Sequence, residues 1–380
     1  MNTQVDVLVE RTDLRRMEVR THTPTAALRN GQVLLACDRF ALSANTITYG
    51  VLGDSHAFWQ FFPAPLPWGQ LPVWGYADVI DSRCEGMAQG ERVFGFLPMS
   101  SHLVVEPTRV TTRGFVDASE HRSALFATYN GYARSAVRTS SHDEDLQAIL
   151  RPLFLTSFVL DDYLADNEFF GGRTVLLSSA SSKTALGTAY QLRRRGGPRV
   201  VGLTSARHVG FAQATACYDA VHPYEEADAL ALNGPVVYVD FSDDAALRHA
   251  VHRRFGPALR QSLRVGATHW SAPALPEAPP GVAPQLFFGP AQIRKRRTEW
   301  GSVPFGALHD AAADRFAAAA HDWLRIDRRE GTDAFAETYR CVLDGRADPS
   351  AAFMVRLGAT LQPVDSPISA DEHAVMSRLR

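Results

Sequence analysis

Between Arg173 and about Pro290, short apolar runs alternate with amphipathic ones, and this alternation restricts the possible folds more than any other feature. The segments RTVLLSSA, RVVGLTSA, AVHPY, PVVYVDFS, SLRVGATH and QLFFG are six strand candidates. Helix candidates lie between them, beginning near Lys183, Arg207, Glu225 and Asp243, with Ser242 as the expected N-cap of the last. Strands joined by helical crossovers pair in parallel and need cover on both faces, so the pattern predicts an α/β fold with a doubly wound parallel sheet. Such sheets place ligands at the carboxyl ends of their strands.

Upstream the pattern changes. From Val5 to about Glu106, the runs VDVLVE, GQVLLACDRFAL, LPVWGYADVIDS, GERVFGFLPM and SHLVVEP are broken by Gly and Pro, which predicts a smaller, mostly antiparallel β domain. From about Ala118 to Asp166 the spacing is helical, and a domain boundary is expected near Arg151. After the Pro-rich loop SAPALPEAPPGVAP and the basic stretch IRKRRTEWG, two helices lead to a last strand, AAFMVRL, expected to return to the first domain. A length of 380 residues suits two domains sharing a cleft.

Hydrophobic residues make up 46% and charged residues 21% of the chain, a globular composition. The formal charge of −2 offers no basic excess for nucleic acid, so a small-molecule substrate is expected. Cys37, Cys84, Cys217 and Cys341 lack the paired spacing of zinc lobes or disulfide frameworks. No apolar run reaches the roughly 18 residues of a membrane span. A cytoplasmic protein without membrane partners is the expectation.

The first strand of the alternating region runs from VLLSS through ASSKTALG into a helix, where a doubly wound fold carries its phosphate loop. Backbone N–H groups and the positive end of the helix dipole would receive a pyrophosphate there. Ser179, Ser181 and Ser182 are small hydroxyl-bearing residues, Lys183 adds charge, and Thr184 follows. The motif is irregular, because a G-x-G-x-x-G pattern is missing and Gly187 alone remains of its glycines. A P-loop would need Gly where Leu177 and Ser182 stand, and a Ser-x-x-Lys nucleophile would need Ser at Ala180. The alternative is a serine-rich turn with no ligand.

The second strand, RVVGLTSARH, ends without the Asp or Glu that would bind a ribose 2′-hydroxyl. Thr204, Ser205 and Arg207 stand there instead, a set suited to a 2′-phosphate, so NADP(H) is expected over NAD(H). Arg207 reads otherwise as an exposed arginine at a helix start.

The order of β domain, doubly wound domain and return segment resembles the medium-chain dehydrogenase/reductase superfamily, above all its zinc-free quinone and enoyl reductases. DRFALSANTITYGVLG looks like the segment that carries Asn, here Asn45, at a zinc-ligand position, and Gly75-Tyr76-Ala77 replaces the dehydrogenase Gly-His-Glu motif. More narrowly, DRFALSANTITY, WGYADV, YNGY, LFLTSFVLDDYLADNEFFG, SSASSKTALG and LTSARH look like a branch known only as a domain of unknown function. The resemblance implies a GroES-like catalytic domain with helical extension over residues 1–150, a Rossmann-type NADP-binding domain over 151–300, and a return segment over 301–380. It also implies no zinc site, and Thr156 facing the nicotinamide.

Without zinc to polarise a ketone, hydride goes most readily to an activated C=C, which needs only donors for the developing negative charge. Asn45, Thr48, Tyr49, Tyr129 and Asn130 are the candidates, with Tyr49 favoured as proton donor or enolate-stabilising hydroxyl, or else a domain-interface tyrosine. The expected activity is NADPH-dependent reduction of an enone, quinone or enoyl thioester. NADPH binding without turnover, or lyase or carbonyl reductase chemistry in the same cleft, is the alternative, and a homodimer stays open.

Other residues have plainer readings. His102, His121, His222, His252 and His269 share no ligand spacing, and Asp161 and Asp162 read better as helix-face or interdomain groups than as acid/base catalysts. Tyr49, Phe58, Trp59, Phe61, Phe62, Trp68 and Trp74 suit either an apolar substrate or the core. In the run Arg294–Arg297, Arg294 and Arg297 share a helix face and could attract an anionic substrate group, the alternative being a solvated face over Trp300.

Overall fold

The computed structural model describes residues 3–23, 27–135, 141–265 and 278–358. His269 and residues 271–277 of the Pro-rich loop lie outside these. The first part of the chain forms β1 (Gln4–Glu10), β2 (Asp13–His22), β3 (Val33–Leu42), α1 (Ala44–Val51), β4 (Trp68–Gly69) and β5 (Pro72–Ser82). It continues through β6 (Arg92–Pro98), β7 (His102–Val105), β8 (Pro107–Thr111), β9 (Gly114–Asp117) and β10 (Gly131–Arg134). Most of these strands build an antiparallel sheet around a core of alternate inward residues, among them Val33, Leu35, Val73, Ala77, Val93 and Leu97.

The long helix α2 (Ser141–Asp166) then leads into the alternating region: β11 (Thr174–Leu177), α3 (Lys183–Arg195), β12 (Arg199–Thr204), α4 (Val209–Ala214) and β13 (Ala220–Pro223). It is completed by β14 (Val236–Asp240), α5 (Ala245–Phe255), β15 (Leu259–Arg264) and β16 (Gln285–Leu286). Among the described residues these strands form one six-stranded sheet in the order β13-β12-β11-β14-β15-β16, with every pairing parallel. This is the doubly wound arrangement. Its two central strands, TVLL and VVYVD, are wholly buried because helices cover both faces, which is why they read as unbroken apolar runs. On one face Leu186, Ala189 and Leu192 of α3 pack with Phe154 and Leu160 of α2, and on the other Leu247, Val251 and Phe255 of α5 pack with Val201 and Tyr238.

The last described elements are α6 (Gly289–Trp300), α7 (Ser302–Ala320), β17 (Arg325–Glu330), α8 (Gly331–Leu343) and β18 (Ala351–Arg356). Strand β18 pairs antiparallel with β3 and parallel with β17, so this return segment joins the first sheet.

Three local expectations need correction. Residues 118–134 are not helical: two 3-10 turns and β10 occupy them, because Tyr132 stacks on Phe115, 4.9 Å between centroids, and β10 pairs with β6 and β9. The segment at Glu225 makes a 3-10 turn, Tyr224–Ala229, and Arg207 lies in another, Ala206–His208, ahead of α4. The N-cap of α5 is Asp244, whose carboxylate accepts from the N–H groups of Ala246 and Leu247 at 2.8 and 3.1 Å. Ser242 lies two residues upstream of that cap, where its hydroxyl accepts from Asp244 N–H at 3.2 Å and donates to the buried Asp240 carboxylate at 2.7 Å.

Helix α2 connects the two sheets. Near its start, Asp145, fully buried, accepts from Arg39 and Arg328, while Glu144 accepts from Arg39 and Arg92. Asp38 and Asp78 complete the network around Arg92. Near its end, Asp161 accepts two hydrogen bonds from Arg195, and Asp162 pairs with Arg296 and Gln292. Both aspartates are therefore interhelical partners. Among the described residues no helix is long and apolar enough to cross a membrane.

Candidate functional site

A cavity of about 1140 Å³ lies between α1, β5, the turn before β10, α2, the β11–α3 turn, the end of β12 and the segment before β18. Asn45, Thr48, Tyr49, Tyr129 and Thr156 line it, as do Ser179, Ser181, Ser182, Lys183, Thr184, Thr204, Ser205 and Arg207. Asn130 does not: its amide Nδ2 donates to the Arg122 carbonyl at 3.3 Å, on the side of the turn facing the protein interior.

Helix α1 begins after Ser43, whose backbone N–H lies 3.5 Å from Thr46 Oγ1. One helical turn sets Asn45 and Tyr49 on the same face, where Asn45 Nδ2 donates to Tyr49 Oη at 2.8 Å. Trp74 Nε1 of β5 donates to the same oxygen at 3.0 Å. Both acceptor positions of that phenol are thus filled, and its remaining partner is the Tyr129 phenol. Burial raises the Tyr49 hydroxyl far above its ordinary range. Tyr129 is less enclosed, and burial pushes it up to about 12. Thr48 turns its hydroxyl back onto the Ala44 carbonyl at 3.1 Å. Of the aromatics singled out above, Phe58, Trp59, Phe61 and Phe62 are buried in the β domain, whereas Tyr49 and Trp74 reach the cavity wall.

The β11–α3 turn shows how a phosphate-loop shape forms without its glycines. Ser179 takes φ +49°, the left-handed conformation that glycine adopts at little cost. Ser182 caps α3, accepting from Ala185 N–H at 3.3 Å. Gly202 on β12 gives the turn its seat, because a Cβ there would come within 2.6 Å of Ala180 Cβ. Gly187 keeps a packing duty: a Cβ on it would meet Ser157 Oγ at 2.7 Å, and that hydroxyl anchors α2 by donating to the Thr184 carbonyl at 2.8 Å.

The polar heads around this turn are held by neutral groups. Ser179 N–H donates to Tyr224 Oη at 3.2 Å. Lys183 Nζ, enclosed although part of its stem is accessible, donates to the Ala351 carbonyl at 3.0 Å, and burial lowers its pKa to about 8. Arg207 Nη2 donates to the Gly345 carbonyl at 2.7 Å. Ser181 Oγ joins Thr204 Oγ1 at 3.0 Å and His208 Nδ1 at 3.2 Å, a hydroxyl cluster at the end of β12. Tyr224 and His208 are lining residues that sequence reasoning missed. Their side chains arrive from the neighbouring strand and turn, and no spacing marks them.

His252, fully buried, lies 2.9 Å from both the Pro280 carbonyl and Ser262 Oγ. Tyr76, in Gly75-Tyr76-Ala77, lies against Arg39 and Arg92, with ring-to-guanidinium distances of 5.9 and 4.9 Å. Among the described residues no three His, Cys, Asp or Glu side chains converge on a possible metal position.

The sequence profile of the family described as "Protein of unknown function (DUF2855)" matches residues 40–348. The chain belongs to this family. No curated protein matches it in sequence. Among solved structures it is similar to CurA from Vibrio vulnificus in complex with NADPH, with TM-score 0.66, 15% identity, and 94% of this chain and 100% of that one covered. It is also similar to the CurK enoyl reductase, with TM-score 0.57, 12% identity and coverage of 93% and 99%. The quinone oxidoreductase of Coxiella burnetii gives TM-score 0.52, 15% identity and coverage of 94% and 100%. The DUF2855 chain thus has the medium-chain dehydrogenase/reductase fold, with a Rossmann-type sheet and a GroES-like β domain.

Proposed function

We propose that this DUF2855 protein is a zinc-independent, NADPH-dependent reductase of an activated C=C bond in an enone, quinone or enoyl thioester. The observation that carries the reading is the single cavity joining the Asn45–Tyr49–Tyr129 cluster to the β11–α3 turn and the end of β12. Fold neighbours solved with NADPH, or acting as enoyl reductases, support it.

The residues present suit the dinucleotide. Ser179, Ser181, Ser182, Lys183 and Thr184 would hold the pyrophosphate at the start of α3, while Thr204, Ser205 and Arg207 would hold the 2′-phosphate, with Thr156 beside the nicotinamide. The carbonyls that now engage Lys183 and Arg207 are neutral acceptors, and a phosphate makes the stronger, charge-assisted bond. When bound, NADPH supplies the hydride. The protein's own part is to orient the substrate carbonyl and to stabilise the charge that collects on its oxygen. Asn45 and Trp74 fix Tyr49, Tyr49 in turn orients Tyr129, and the Tyr129 hydroxyl serves as the donor to that oxygen.

The purified chain is assayed for NADPH and NADH oxidation against a panel of enones, quinones and enoyl thioesters. Turnover with at least one class, faster with NADPH, is expected. Tight NADPH binding without oxidation across the whole panel would refute the reductase reading.

A further inference from the structure

The chain carries 39 Lys and Arg against 41 Asp and Glu, yet its cavity is lined by six cations, Arg109, Arg113, Arg151, Lys183, Arg207 and Arg297, and by one acid, Asp348. This imbalance is local. Lys183 and Arg207 belong to the proposed cofactor end, and Asp348 interacts with both Lys183 and His208 there. Arg151 is neutralised by Asp310 at 2.5 Å. Arg109 and Arg113 on the β8–β9 hairpin and Arg297 on α6 remain, none of them in an ion pair among the described residues.

The basic run on α6 divides cleanly by helical phase. Gly289, Ile293 and Arg297, spaced four apart, face the cavity. Lys295 and Arg296 face α2, where Asp166 and Asp162 pair with them. Arg294 is exposed and does not line the cavity. The Arg297 guanidinium lies 5.6 Å from the Phe305 ring centroid, which props it against α7. The start of α6 also reaches the wall opposite, since Phe288 meets Phe126 at 6.3 Å.

We infer that the substrate carries an anionic group, a carboxylate or a phosphate, and that Arg297 is the specificity-determining residue that receives it, with Arg109 and Arg113 adding to the attracting field. This rests on the reductase reading. The anion would raise affinity without entering the chemistry, so removing its partner raises KM and leaves kcat nearly unchanged.

The test compares a 4-oxo-2-enoate, its methyl ester and a 2-enoyl-CoA as substrates of the wild type, Arg297→Glu and Arg294→Glu. Arg297→Glu is expected to raise KM for the anionic substrates about tenfold or more, to leave the ester unaffected, and to lose its effect at high salt, while Arg294→Glu behaves as wild type. Preference for the CoA thioester assigns the anion to a carrier phosphate, and preference for the free carboxylate assigns it to the substrate itself. Binding of a saturated 4-oxoalkanoate to the NADPH-loaded protein is measured in parallel, because it reads Arg297 whether or not hydride moves. Weaker binding to Arg297→Glu with no turnover anywhere would sustain the anion site and sink only the reductase. Equal binding of acid and ester, or identical behaviour of the two variants, would overturn the inference.

Discussion

Replacing Tyr129 and Tyr49 separately by Phe separates the donor from its support. Tyr129→Phe removes one hydroxyl aimed at the developing oxyanion, and loss of one such donor lowers kcat about 10²- to 10³-fold. Its ring stays in the aromatic cluster with Phe96 and Phe58, at centroid distances of 4.7 and 5.6 Å, so packing is kept and the stability cost is that of one buried donor, the Tyr49 hydroxyl that loses its acceptor, about 1 kcal/mol. Tyr49→Phe acts differently, because Asn45 Nδ2 and Trp74 Nε1 both lose their acceptor. An unsatisfied buried donor costs about 1–3 kcal/mol, and both of these residues are only half-buried, so roughly 2 kcal/mol in total and a fall of several degrees are expected. The pH profile adds a third reading. Burial holds Tyr129 at about 12, so kcat should show no inflection from this group below about pH 10. Steady-state NADPH oxidation and thermal melts on both variants decide the matter. If Tyr129→Phe keeps wild-type kcat while Tyr49→Phe loses activity without losing stability, Tyr49 is the donor and the relay is wrong.

The Lys183 amine, lowered to about 8 by burial, favours its charged form once a phosphate is near, so NADPH binding takes up a proton above that pH. Affinity should therefore fall as pH rises past about 8 and Lys183→Met should flatten the profile, whereas a Lys183→Met variant that keeps the wild-type slope would contradict the placement. Arg207→Ala should weaken NADPH by about ten- to a hundredfold and leave NADH nearly unchanged, as titration of both cofactors reveals. Asp145→Ala removes one of the three carboxylates paired with Arg39, leaving Asp38 and Glu144, and should cost about 1–3 kcal/mol, seen as a loss of thermal stability that Asp143→Ala does not share.

Much of the fold is legible where burial on both sides of a sheet makes a strand uniformly apolar, as in TVLL and VVYVD. Legibility fails where distant groups compete for a local one. Ser242 looks like an N-cap, yet it accepts from Asp244 N–H in the turn held by the Asp240 carboxylate, and the helix starts two residues later at the Asp244 cap. Residues 118–134 have helical composition, and the pairing of β10 with β6 and β9 overrides it. At the site, the serines and Arg207 follow from position in an alternating pattern. That Tyr49 is surrounded by donors depends on Trp74, 25 residues away, whose indole direction no spacing encodes. The ion network around Arg39 joins residues more than 100 positions apart, which sequence alone does not pair.

Helix α2 works as an axle whose phase is fixed by its length. Its early carboxylates Glu144 and Asp145 are locked to the β domain, Ser157 is locked to α3, and Asp161 and Asp162 are locked to Arg195 and Arg296. A single residue inserted between Asp145 and Ser157 would turn everything after it by about 100° and advance it about 1.5 Å, breaking one set of contacts to keep the other. Natural variation in chain length should therefore collect in the loops, and this stretch should hold a constant count of residues even where its side chains change.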